Sequence, residues 1–545
     1  MDTFRQRLRF EKNDVDVKLR KRKSLLYLKE DHAPLRNDVL RVAAFSVTFR
    51  IINCFLVQSS FVPDEYWQSL EVAHHMVFNY GHLTWEWKEG LRGFTYPLIF
   101  AFIYKLLYFI NCDSVYLLIW LPRVFQALLA AFADLKFFFL MRTLEGGQVA
   151  KWTAFCQLCS WFTWFCCTRT LSNSMETSIT CMALSYFPLS ASQAHSSKKY
   201  LTLVALAIIV RPTALIVWLP LLIYHFWQEE NKLRLIAHDY IPIGFVLLIS
   251  YSFTFVVFSA LTFSFHLSRA SAVVISIVID CIFYGKWTFV QFNFLKFNIF
   301  HGVADFYGSH PWHWYFTQGF VVVMGPHLPF FLHGCCLAFR RYRILLVAIS
   351  WTIGVYSVLP HKEFRFIYPV LPFCMIFCGL SMAHLRAWRR TAACVLVVTN
   401  LLAALYTGLI HQRGTLDVMS HLQTLCHISE QPQPYILFLM PCHSTPFHSH
   451  IHCPLRMRFL ECPPDLGEGA YMDEADGFYS DPLHWLTTSF PHKSSGPTHL
   501  VLFDVLEKEI SAFLLENNFT KTTEMFHTHF PSGRVGGSIF IYERH

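Results

Sequence analysis

Apolar residues in this chain run in long blocks. They follow neither the alternation of a half-buried strand nor the stripe of a surface helix. The blocks occupy roughly residues 40–57, 94–111, 115–141, 148–168, 174–193, 200–226, 239–264, 270–284, 317–338, 344–360, 366–385 and 391–410. Crossing a bilayer core takes about 20 apolar residues in a helix, so the pattern predicts about ten to thirteen spans. The basic pairs at 198–199 and 232–234 call for two crossings between them; the 200–226 block is too short for two full spans, and Arg211-Pro212 offers a break into two short helices, which the sequence leaves open. Past residue 411 the pattern becomes polar, Pro-rich and His-rich. A β–α–β rhythm then follows, with a strand over 498–503, a helix over 504–517 and a strand over 538–542. The expected architecture is an all-α polytopic membrane protein. It comprises a basic segment 1–39, a multi-span unit 40–410 with a large first loop 58–93, and a mixed α/β unit 411–545.

Charge gives this bundle a direction. Only 15% of residues are charged, where a soluble protein has about a quarter. The net charge of +8 is concentrated near the start, where Lys18, Arg20, Lys21, Arg22 and Lys23 cluster. Lys and Arg resist translocation, so this end is expected in the cytosol, and the excess reflects topology and not nucleic-acid binding. No small-residue cleavage site follows, and the 40–57 block reads as an uncleaved anchor. The basic turns 340–343 and 386–390 are likewise expected in the cytosol. Counting spans outward from them puts residues 307–315, 361–365 and the tail in the lumen, beside the acidic loop 58–93.

Three polar groups thus converge on one face. In Pro63-Asp64-Glu65-Tyr66-Trp67-Gln68, acids after a proline make an ordinary helix start. Alternatively, one carboxylate takes a proton from a sugar hydroxyl as general base. Neighbours on a helix diverge by about 100°, so Asp64 and Glu65 are expected to differ in role. His310, Trp312 and His313 fit an interfacial aromatic belt or a sugar platform. His361, Lys362, Glu363 and Arg365 fit a snorkelling cluster or the site of a lipid-linked phosphate. Arg211 is a further phosphate candidate. Arg50, Arg123, Asp134 and Asp280 lie within apolar blocks, where charge is costly unless paired. In the tail, Cys426, Cys442, Cys453 and Cys462 allow three disulfide connectivities. The spacing of His443, His448, His450 and His452 fits no strong zinc pattern. Asn518-Phe519-Thr520 is a glycosylation sequon if the tail is lumenal.

PDEYWQ, TRTLSNSME, RPTA, YGSHPWHWY and HKEFRF, in that order, resemble glycosyltransferase family 22, whose members use dolichol phosphate mannose and have the GT-C fold. Within it, QFNFLKFN, HQRGTLDVMSH and MPCHSTP resemble the branch that builds glycosylphosphatidylinositol (GPI) anchors. The resemblance implies an endoplasmic-reticulum enzyme adding a third mannose, α-1,2-linked, to a two-mannose GPI precursor by inversion. It implies Asp64 and Glu65 as the catalytic acidic pair, with Asp64 as base, and His361, Lys362, Glu363 and Arg365 at the donor. No metal or other cofactor is expected, since a dolichyl monophosphate leaves with less charge than a diphosphate. The alternatives are a mannosyltransferase of the dolichol-linked N-glycan precursor and, more distantly, a lipid scramblase.

Overall fold

The computed structural model describes residues 36–189, 197–235, 240, 271–297, 308–427, 434–464, 471–491 and 496–545. The basic start and, save Tyr240, the block 239–264 lie outside them. The principal helices before residue 410 are α1 (Arg36–Leu56), α2 (Glu71–Phe78), α3 (Thr95–Phe109), α4 (Val115–Glu145), α5 (Gly147–Cys159), α6 (Trp161–Cys166), α7 (Ser172–Leu184), α8 (Ser197–Val210), α9 (Ala214–Gln228), α10 (Ser271–Tyr284), α11 (Leu328–Ala338), α12 (Arg343–Val358), α13 (Leu371–His384) and α14 (Arg389–Leu409). Among the described residues, five helical segments are long and apolar enough to cross a membrane by length and composition. The 200–226 block divides at Arg211-Pro212, which decides a point that the sequence left open. The 148–168 block also divides, at Ser160, whose Oγ accepts the Thr163 amide and caps α6.

The segment from Phe364 to the end of α13 forms the buried axis of the bundle. Two glycines let neighbours press against it. A Cβ on Gly379 would lie 2.1 Å from Thr153 Oγ1 of α5, and one on Gly334 of α11 would lie 2.0 Å from the Phe377 carbonyl. Small residues permit such backbone approach where packing, not hydrophobicity, holds helices together.

Arg50, Asp134, Arg123 and Asp280, the charges singled out within the apolar blocks, each have a partner. Arg50 Nε donates to Asp134 Oδ2 at 2.6 Å across α1 and α4. Arg123 donates to the carbonyls of Cys54 and Val57 and lies over the Trp120 ring at 4.7 Å. Asp280 accepts the Phe94 amide at 2.7 Å. These contacts answer the cost of placing charge in hydrocarbon.

The tail carries a five-stranded sheet of β1 (Tyr435–Leu439), β2 (Arg456–Phe459), β3 (His499–Phe503), β4 (Phe519–Phe526) and β5 (Ser538–Arg544), in the order β2-β1-β3-β5-β4. The first three run parallel and β5 pairs antiparallel with its neighbours. Side chains alternate between faces with period two. Ile436, Phe438, Val501, Phe503, Ile539 and Ile541 join the core shared with the bundle. Leu437, Leu439, Leu500, Leu502, Phe540 and Tyr542 face a separate core under short helices. The predicted strands at 498–503 and 538–542 are present, whereas the predicted helix over 504–517 shortens to a 3₁₀ turn and a helix at Ser511–Glu516.

The tail is fastened to the first loop. Glu71 is buried and accepts the amides of Phe447 and Ser449 at 2.7 and 3.2 Å and the Ser449 hydroxyl at 2.5 Å. Trp67 Nε1 donates to the Thr445 carbonyl at 2.9 Å. His74 and His452 share a hydrogen bond of 3.0 Å. The disulfides pair Cys426 with Cys453 and Cys442 with Cys462.

This seam makes stability depend on pH. Burial holds His74 and His450 down at about 3 and His448 at about 4, against 6.5 when unfolded. The unfolded chain therefore binds more protons below pH 6.5, and their contribution falls as pH drops toward 4. Glu71 acts oppositely, because burial pushes it up to about 7 despite its donors. Three groups oppose one, so the melting temperature in detergent is expected to fall between pH 7 and pH 5. A flat profile would show that the histidines are not buried neutral at this seam.

Candidate active site

The first loop leaves α1 and turns at Pro63, where the Glu65 and Tyr66 amides donate to the Val62 and Pro63 carbonyls at 3.2 and 3.0 Å. A π-helical turn over Tyr66–Leu70 follows and leads into α2. Such turns re-aim side chains and recur at functional sites. Here Asp64 faces an open cavity while Glu65 turns into the wall behind it.

Glu65 is 2% exposed and binds Arg169 Nη1 at 2.7 Å. Arg169 is itself fully enclosed. It also donates to the Ser59 and Phe165 carbonyls, both at 2.7 Å, and lies 4.2 Å over the Phe165 ring. Thr170 Oγ1 donates to the Glu65 carbonyl at 3.0 Å. This arrangement braces the loop from behind.

Asp64 Oδ2 lies 2.7 Å from Arg365 Nη2. Glu363 grips the same guanidinium with both oxygens, at 2.6 Å to Nε and 2.7 Å to Nη2. His361 Nε2 lies 3.1 Å from Glu363 Oε1. Burial works against charge on Glu363, yet Arg365 and His361 hold its carboxyl well below the usual range. Burial works against protonated His361 too, but Glu363 raises its pKa above the ordinary value. Arg211, at the break between α8 and α9, lies 3.3 Å from Glu176 and 5.0 Å over the Phe366 ring.

Asp64, Arg211, His361, Glu363 and Arg365 line one cavity of about 410 Å³. Other called residues lie elsewhere. Lys362 is buried and donates to the carbonyls of His310, Leu359 and Pro360 at 2.8, 2.5 and 3.4 Å. His310, Trp312 and His313 are exposed outside the cavity. Their loop buttresses the 361–365 turn, with the His310 amide donating to the Pro360 carbonyl at 3.0 Å. Asn518 is exposed at the turn before β4.

The cavity also holds residues that sequence reasoning passed over. Arg92 makes a forked pair with Glu86 at 2.7 and 3.1 Å. The buried Asn173 Oδ1 and Tyr96 hydroxyl line it without a hydrogen-bond partner among the described residues, and such atoms mark places where a polar ligand fits. Asn173 was within reach, since it belongs to the motif TRTLSNSME. His443 and Cys442 reach the cavity from the tail, nearly 380 residues from Asp64. Cys442, His443 and Cys462 could approach a metal together, but the two cysteines are joined, which removes the thiolates a metal needs.

The two acids of the first loop should separate experimentally. Glu65→Gln leaves Arg169 buried and uncompensated, which costs about 3–5 kcal/mol. Its melting temperature and yield in detergent should fall well below those of Asp64→Asn. Equal stability of the two variants would refute the bracing role of Glu65.

A model of the Alg9-like mannosyltransferase family matches residues 42–452. GPI alpha-1,2-mannosyltransferase 3 of Danio rerio is 59% identical over 100% of this chain and 98% of its own. The Homo sapiens protein of the same name is 58% identical over 97% and 92%. GPI mannosyltransferase 3 of Drosophila melanogaster is 41% identical over 85% and 80%. Among solved structures, ArnT from Cupriavidus metallidurans bound to undecaprenyl phosphate has a TM-score of 0.50 at 11% identity, covering 93% of this chain and 98% of that one. The Archaeoglobus fulgidus oligosaccharyltransferase tethered to an acceptor peptide has a TM-score of 0.53 at 13% identity, covering 87% and 70%. These two likenesses speak for a shared GT-C-like fold. With four-fifths or more of each of these relatives matched and a family model spanning most of the bundle, this multi-pass membrane protein belongs to the Alg9-like mannosyltransferase family.

Proposed function

We propose that this protein transfers mannose from dolichol phosphate mannose, in α-1,2 linkage, to a GPI precursor bearing two mannoses, and so adds the third. The reaction is placed at the lumenal face of the endoplasmic reticulum, with the N-terminus cytosolic and the 411–545 unit lumenal. The high identity to GPI mannosyltransferases over nearly the whole chain supports the substrate class. The observation that carries the chemistry is the Asp64 carboxylate sharing one cavity with Arg211, His361 and Arg365.

The step is a single inverting displacement. An acceptor hydroxyl attacks the anomeric carbon of the donor and passes its proton to Asp64. The bond from that carbon to the phosphate oxygen breaks, and its electron pair leaves with the dolichyl phosphate. A β-linked donor then gives an α product. Developing charge on the phosphate is met by Arg211, His361 and Arg365, which are held in place before the reaction and so need little reorganisation. Glu363 fixes the guanidinium of Arg365 and the ring of His361. Arg365 orients Asp64 while the opposite side of the carboxylate faces the acceptor.

In cells lacking the endogenous enzyme, Asp64→Asn should reach wild-type protein levels and lose transfer by about 10²-fold or more. Lipid analysis should show a two-mannose GPI precursor accumulating while N-glycan precursors stay normal. Normal surface GPI proteins with Asp64→Asn would reject the base assignment. An N-glycan precursor defect without a GPI defect would point to the other lumenal mannosylation.

A further inference from the structure

The tail places one side chain in the transfer cavity under unusual constraint. His443 sits four residues past β1 and adopts φ +62°, a region unfavourable to residues with a Cβ. Three contacts hold it there. The turn is closed by the Ser444 amide donating to the Pro441 carbonyl at 3.2 Å. The preceding Cys442 is bonded to Cys462, beyond the end of β2. The ring packs edge-on to Trp67 at 4.9 Å and against Phe459 at 5.3 Å. Trp67 is in turn tied to the same turn through the Thr445 carbonyl.

For all this fixation, neither ring nitrogen of His443 makes a hydrogen bond to another described residue. The residue lines the cavity together with Asp64, Trp67 and Arg365. Burial, and then the neighbouring His82, push the ring down to about 4 against the pull of the Asp64 charge, so it is neutral near pH 7. A neutral imidazole offers one donor and one acceptor. A sugar hydroxyl is both as well. The phosphate of the donor requires cations, and those stand on Arg211, His361 and Arg365. His443, backed by Trp67, offers a sugar a neutral hydrogen-bonding edge.

We infer that His443 is an acceptor-binding residue: its imidazole hydrogen-bonds a hydroxyl of the terminal mannose of the acceptor and sets that sugar over Asp64. This rests on the assignment of transfer to the Asp64 cavity. It makes the tail a part of the site that chooses the acceptor, with the Cys442–Cys462 disulfide as its fastening.

The test uses full-length protein in microsomes from null cells, assayed with a two-mannose GPI acceptor and a dolichol phosphate mannose donor. His443→Gly removes the ring at a backbone conformation that glycine accepts freely. His443→Asn keeps a donor and an acceptor and tolerates the same conformation. His443→Gly should raise the acceptor KM about tenfold, the scale of one lost hydrogen bond with its packing, and leave the donor KM within about twofold. His443→Asn should recover most of that loss. Non-reducing electrophoresis should show the Cys442–Cys462 bond intact in both, which separates misfolding from loss of binding. An unchanged acceptor KM in His443→Gly, or equal rises for donor and acceptor with the disulfide intact, would overturn the inference. Asp64→Asn in the same assay reports on the underlying assignment: normal turnover there defeats that reading, whereas an inactive Asp64→Asn beside a wild-type His443→Gly defeats only the role of His443.

Discussion

The ion pair between Asp64 and Arg365 joins two loops some 300 residues apart. Arg365 can hold this position because Glu363 grips it on the other side, and Asn173 Nδ2 donates to its backbone carbonyl at 3.1 Å. The proposed base is thus fixed by a cation that also faces the proposed phosphate site. In the proposed displacement one guanidinium serves both halves. Its fork geometry allows this, since planar donors can meet two carboxylates without losing alignment, which a lysine ammonium cannot do as well.

Behind this contact lies a second pair of the same kind with a different task. Glu65 and Arg169 are enclosed on all sides, and their polar atoms are spent on each other and on nearby carbonyls. A pair so desolvated gives little net stability, but removing one member leaves an expensive charge. Its effect is to fix the loop in one geometry, so that Asp64 points into the cavity. Lys362 is the counterpart on the facing loop. Its ammonium gathers carbonyls and shapes the turn that presents His361, Glu363 and Arg365.

The bundle was legible because a membrane span is a long and simple signal. The break at Arg211-Pro212 was legible as an option for a local reason, the missing amide of proline. Charge bias alone grouped the 58–93 and 361–365 loops, and Asp64 and Arg365 do meet. Adjacent charged letters hid the division of labour. Nothing in Asp64-Glu65 or Lys362-Glu363 says which side chain faces the cavity, because that depends on the π-helical turn that follows Glu65 and on two groups distant in sequence, Arg169 and the His310 carbonyl. β1 was missed since YILFL is a short, unbroken apolar run without the alternation of a half-buried strand. Both its faces are covered, one by the bundle and one by the outer helices. His443 was seen only as part of a histidine-rich stretch, because its partners Trp67 and Asp64 come from the other end of the chain.

The seam between first loop and tail accounts for that histidine-rich composition. Such an interface must be tight enough to seat Cys442 and His443 beside Asp64, yet it forms between two polar segments. Neutral imidazoles suit the task. They pack as aromatic rings, as His74 does against Phe78 at 4.7 Å and His450 against Tyr66 at 5.2 Å, and still hydrogen-bond at their edges. Phenylalanine would leave the amides and hydroxyls of the tail unmet, and lysine would bring charge that burial penalises. Glu71 completes the joint by collecting the amides at the start of the His448–Ile451 turn, so the π-helical turn that aims Asp64 runs directly into the residue that holds the tail. Orientation of the proposed base and attachment of the tail are therefore set by one continuous stretch of chain, and a disturbance of either is transmitted to the other through Trp67.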